Sequence, residues 1–159
     1  MANDRLIPVY KKLYDEDFDY SDFNMRMKMQ KAVYLLQDMG VAVGDYGFHW
    51  YHHGPYSQEL QDDMHEENKT RTSDERVLAR YGRRIEALYD VIHNGCGKAY
   101  ALPHWMECLA SIHYLRDNIM DFDATMEDVL EELEHRKAHL GNREANIAAY
   151  RLLEGLYAV

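Results

Sequence analysis

Hydrophobic positions recur along this chain at spacings of three and four residues, the period of a helix with one buried face. A short N-terminal helix is expected around Arg5 to Tyr14, followed by an acidic, aromatic connector from Glu16 to Asp22. The next helix runs from about Ser21 to Met39, with Met25, Met29, Ala32, Leu36 and Met39 on one face and Val33 widening it. Gly40 follows where a left-handed C-terminal cap belongs. Val41 to Val43 and Phe48 to Tyr51 read as strands. Between them Gly44-Asp45-Tyr46-Gly47 can turn, which predicts a small hairpin that needs helices to lean on.

Gly54-Pro55 then marks a sharp change of direction. Pro55 is suited to a first helical turn and Ser57 to capping it, so a helix is expected over about Tyr56 to Glu66, with 67–71 as a loop. Thr72-Ser73-Asp74-Glu75 has the form of a capping box and predicts one long helix through Ile92. Its apolar face would be Val77, Tyr81, Ile85, Leu88 and Ile92, with Asn94-Gly95-Cys96-Gly97 ending it. Pro103 opens another helix, with Met106, Leu109, Ala110, His113 and Leu115 inward. Thr125 to Asp128 caps a helix carrying Val129, Leu130 and Leu133, which Gly141 stops. Asn142 caps the last helix, with Ile147, Tyr150, Leu153 and Leu156 inward. The pattern predicts a mainly α, single compact domain over 1–159, of six or seven helices and one small β-hairpin.

Composition narrows the classes. At 159 residues with 47% hydrophobic and 12% aromatic residues, the chain has the size and make-up of one globular domain. No apolar run approaches the roughly 20 residues that span a bilayer, which predicts no membrane partner. The N-terminus lacks the pattern of a secretion signal, which predicts a cytoplasmic address and free thiols at Cys96 and Cys108. A formal charge of −10 argues against nucleic acid as the main partner and favours a protein.

Candidate chemistry is sparse. His49, His52 and His53 cluster before the corner, but in a straight strand 49 and 53 face away from 52, and no second pair of metal-site spacing follows. Aromatic packing is the simpler account, and neither metal nor cofactor is expected. Ser111, Cys108 and His113 lie at offsets that do not make helix neighbours, so acyl transfer has no support. No phosphate-binding glycine loop is present, since Lys98 follows Gly95-Cys96-Gly97 without the required spacing. Arg76, Arg80, Arg83 and Arg84 form a ridge on the expected long helix. It could meet phosphates or an acidic protein, or pair with the chain's own acids at 62, 63, 66 and 67, which the acidic surplus favours. Arg26, Lys28 and Lys31 make a second, scattered basic patch. Trp50, Tyr51, His53 and Tyr56 are candidates for partner contact or for core packing, around a structural corner of Gly54, Pro55 and Ser57.

Several segments resemble a known family. The helix from Lys28 to Gln37 is similar to a KLQKLxYLxQ pattern, and Phe48 to Leu60 is similar to an FxxYxxGPYSxEL corner. Leu109 to Leu115, Lys137 to Leu140 and Ala149 to Leu153 resemble later segments of the same group. The family is the uncharacterised YwgA-like group of bacteria and phages, similar to the Panacea (SocA-like) antitoxin domain, and the likeness spans about 24–156. It implies a small, mostly helical, winged-helix-related domain without known catalysis. It also implies a protein partner, such as a toxin or a protease system.

Overall fold

The computed structural model describes residues 3–95 and 99–158. Eight helices and one two-stranded antiparallel hairpin appear among them: α1 Leu6–Tyr14, α2 Phe23–Asp38, β1 His49–Tyr51, β2 Gly54–Tyr56, α3 Gln58–Thr70, α4 Arg76–Arg80, α5 Gly82–Gly95, α6 Leu102–Tyr114, α7 Met126–Arg136 and α8 Arg143–Leu156. A five-residue π-helical turn, Leu115–Ile119, extends α6. No described helix is long and apolar enough to cross a membrane. Cys96 and the expected stop at Cys96-Gly97 lie outside the described residues.

The centre of the molecule is the α2–α6 pair. Trp105 to His113 are buried without interruption, which is the pattern of a helix enclosed on all sides. Met27 to Leu36 of α2 are buried likewise. The stripes expected on α6, α7 and α8 face inward, apart from a half-buried Ile147. Capping chemistry sets several boundaries. Thr125 and Asp128 form a capping box on α7, Asn142 accepts from Ala145 N on α8, and Gly40 ends α2 with φ of 84°.

The hairpin is not where the sequence pattern puts it. Val41 to Val43 is an unpaired connection with both valines buried, and the paired strands run His49 to Tyr56, Trp50 to Pro55 and Tyr51 to Gly54, turning at His52-His53. The cause lies on α2. Gln37 binds both backbone groups of Tyr46, donating to its C=O at 2.7 Å and accepting from its N–H at 2.8 Å. A helix side chain thus satisfies both backbone groups of Tyr46 and holds the segment read as a turn against α2. Pro55 consequently sits in β2, and helix α3 starts after it with Ser57 as N-cap, its hydroxyl accepting from Leu60 N at 3.3 Å.

Two further departures have local causes. The expected loop over 67–71 is helical to Thr70, because Glu67 is buried, receiving Thr72 Oγ1 at 2.7 Å, and Asn68 receives Tyr20 N at 3.0 Å. Thr72 therefore makes no capping box. Glu75 is the N-cap of α4 without a side-chain cap bond, and Asp74 before it accepts from Arg76 N at 3.0 Å. The long helix is broken at Tyr81, whose φ of −115° and ψ of 24° leave the helical region just before the poor helix former Gly82. Arg76 and Arg80 thus lie on α4, Arg83 and Arg84 on α5, and no single helix carries the ridge. Helix α7 ends at Arg136, ahead of Gly141, because Lys137 leaves the helix to bind His52 O at 2.7 Å.

Candidate functional site

The segment from His52 to Ser57 is held by three buried side chains reaching its backbone. Gln30 donates to Ser57 O at 2.8 Å and accepts from Ser57 N at 2.9 Å. Lys31 donates to Pro55 O at 2.9 Å, and Lys137 to His52 O. Gln30 and Gln37, seven residues apart on α2, thus clasp the connection at two points. Lys28 and Lys31, named from sequence in a scattered basic patch, are both buried. Lys28 pairs with Glu16 at 2.6 Å and anchors the connector before α2. Gly54 adopts φ of 92°, with Ser111 of α6 so close that a Cβ there would lie 2.6 Å from its hydroxyl.

Beneath the corner Glu107 is fully buried, with Lys137 at 3.1 Å and His139 at 3.0 Å. Burial alone would raise its carboxyl, but the His139 and Lys137 contacts outweigh that and hold it below the ordinary range. Trp50 is half-buried, its ring near Tyr114 at 5.7 Å and under the cations of Lys137 and Arg136 at 5.0 and 5.5 Å. It braces the hairpin and does not line the cavity described next.

On the solvent side the corner and the first turns of α2 enclose a cavity of about 340 Å³. Tyr51 stacks on Tyr56 at 5.3 Å, and Phe23 meets His53 edge-on at the same distance. Phe23 and Tyr51 are 51% and 57% exposed, so the rim is an uncovered aromatic surface. Met27, Gln30, Lys31 and Gln61 line the interior, with Arg26 beside Phe23. Among the described residues no carboxylate lines it. Burial lowers the His53 imidazole, Glu107 opposes that, and Lys31 and Lys137 add to it.

Of the residues singled out from sequence, Tyr51, His53 and Tyr56 come together at this cavity, and Gly54, Pro55 and Ser57 form the corner behind it. Arg76, Arg80, Arg83 and Arg84 lie elsewhere. Arg76 binds Asp74 at 2.7 Å, while Arg80, Arg83 and Arg84 have no carboxylate within 4.0 Å among the described residues. Pairing with the acids at 62, 63, 66 and 67 therefore does not occur. Sequence reading missed Phe23, Met27 and Gln30, and named Arg26 and Lys31 only as part of a scattered basic patch. Their spacing on α2 would have placed them on one face, but the methionine stripe suggested a different one.

His49, His52 and His53 do not converge. Among the described residues one group brings metal-type donors within 4.8 Å of one another: Asp38, His113 and Asp117. His113 Nε2 lies 3.0 Å from Asp38 and 3.1 Å from Asp117, and its ring stacks on Tyr157. The i,i+4 spacing of His113 and Asp117 was visible in sequence. Among the described residues Ser111 Oγ has no hydrogen-bond partner, and the buried Cys108 thiol contacts Asn146 at 3.3 Å, so neither meets a base. Comparison with family models, curated proteins and solved structures returned no match.

Proposed function

We propose that this chain is a non-enzymatic protein-interaction module that receives a partner protein at the aromatic corner. One observation carries the reading: the corner's backbone is fixed by buried side chains, while its aromatic rim at Phe23, Tyr51 and Tyr56 stands open around a mainly apolar cavity. A fixed scaffold lowers the ordering cost of binding, and exposed aromatic anchors supply contact area. Family resemblance adds the kind of partner, a toxin or a component of a protease system, in a winged-helix-related antitoxin-like protein.

The test is co-expression of the chain with the product of each adjacent gene. A neighbour should co-purify with the wild type and be lost with the Phe23→Ala/Tyr51→Ala double variant. Failure of every neighbour to co-purify, or equal recovery with the double variant, overturns the reading.

A second reading, a nucleic-acid-binding regulator, draws on Arg80, Arg83 and Arg84, whose lack of carboxylate partners leaves their charge free for phosphates. It requires duplex binding that falls steeply with salt and is lost in Arg80→Ala/Arg84→Ala. Absence of duplex binding at low salt removes it.

A further inference from the structure

Lys31 occupies a core position on α2 without the partner that a core charge needs. Its side chain is 1% exposed, and Pro55 O is its one hydrogen-bond acceptor among the described residues. An ammonium has three donors, so two remain, and no carboxylate of the described residues lies within 4.0 Å. Glu107, whose charge faces Lys31 from α6, is taken by Lys137 and His139. Burial pulls the Lys31 ammonium down to about 7, with Glu107 opposing and Lys137 adding to the drop. Leaving a buried cation so poorly compensated is costly unless an anion arrives to pair with it.

The surroundings say what kind of anion fits. Lys31 lines the cavity whose walls are Phe23, Met27, Tyr51 and Tyr56, and whose lining among the described residues has no acid in a chain of net charge −10. Resting on the docking reading above, we infer that the cavity receives the C-terminal residue of the partner protein. Its apolar side chain lies between Phe23, Met27, Tyr51 and Tyr56, and its terminal carboxylate pairs with the Lys31 ammonium. A chain end carries an apolar group and a carboxylate on one Cα. An internal Asp or Glu brings the charge on a short stem and leaves the aromatic walls uncovered. Capture of a terminal carboxylate by fixed donors is a general mode of peptide recognition.

Three small probes test this on the intact chain by amide chemical shifts: N-acetylphenylalanine, its C-terminal amide, and an acetylated glutamate blocked as its α-amide. The free acid should bind saturably, shifting amides of 23–31 and 51–57. The amide and the glutamate probe should bind at least roughly tenfold more weakly, the scale of a lost charge-assisted hydrogen bond. Lys31→Met, an apolar replacement of similar length, should erase the acid's advantage while leaving the amide's affinity unchanged. Equal binding of acid and amide, no saturable shift from either, or preference for the glutamate probe overturns the inference. The acid–amide comparison in the wild type stands whether or not the variant folds. Loss of partner capture in Phe23→Ala/Tyr51→Ala, with full capture of a partner extended at its C-terminus, would retain the docking reading and remove this one.

Discussion

Replacing Gly54 by alanine tests how the hairpin sits on α6. The backbone there has φ of 92°, and a methyl group would stand 2.6 Å from Ser111 Oγ. The positive φ alone costs a Cβ-bearing residue about 1 kcal/mol. The contact adds about 1–3 kcal/mol of overpacking, at the low end if the hydroxyl swings to another rotamer. Gly54→Ala should therefore destabilise by about 2–4 kcal/mol. Ser111 Oγ is buried and has no hydrogen-bond partner, so Ser111→Ala should be neutral or slightly stabilising. Combining the two removes the contact but not the φ penalty, and the pair should lie about 1 kcal/mol below wild type. Urea denaturation of the four proteins, followed by circular dichroism, gives the coupling energy directly. Additivity within about 0.5 kcal/mol would refute the close approach of hairpin and helix. A neutral Gly54→Ala would refute the backbone geometry as well.

Other expectations follow from the same network. Burial holds Lys31 down to about 7 from an ordinary 10.5, so between those values the unfolded chain binds the proton and the folded chain does not. Stability should then rise with pH across that window, by at most about 1.4 kcal/mol per unit. Lys31→Met should abolish this rise, and parallel urea midpoints for both proteins from about pH 7 to about pH 9 would contradict it. Glu107→Ala strands the buried Lys137 cation and should cost about 3–5 kcal/mol by chemical denaturation; a loss under about 1 kcal/mol would contradict the clamp. Phe23→Ala/Tyr51→Ala touches exposed rings and should leave stability within about 1 kcal/mol while weakening partner capture at least tenfold. A large shift in the melting curve would mean that the rings pack instead of bind.

The helical part of the fold is legible because it follows local rules. Thr125 with Asp128, Asn142 and Gly40 mark helix ends by their own chemistry, and the stripes of α6 and α8 need only their period. The corner is legible in outline, since Gly54, Pro55 and Ser57 announce a turn and a cap. Its supports are not. Lys28, Gln30 and Lys31 look like a solvated helix face, and only the distant backbone of Pro55 and Ser57 and the carboxylate of Glu16 explain their burial. The hairpin register fails for the same reason: Gln37 fixes Tyr46, read as part of a turn, and Gln30 fixes Ser57 after the corner, and neither bond follows from a local pattern. Helix α7 ends early because Lys137 has a partner 85 residues away in sequence. Polar side chains acting at long range govern this region, and neither hydrophobic period nor local propensity encodes them. The cavity inherits that difficulty, since half of its lining comes from the misread face of α2.

Hydrogen–deuterium exchange on the complex with a co-purified neighbour is the most direct measurement of where the partner sits. Exchange should slow at 23–31 and 49–61 relative to the free chain and stay unchanged across α4 and α5. Protection confined to 76–84, with the corner exchanging as it does alone, would contradict the account.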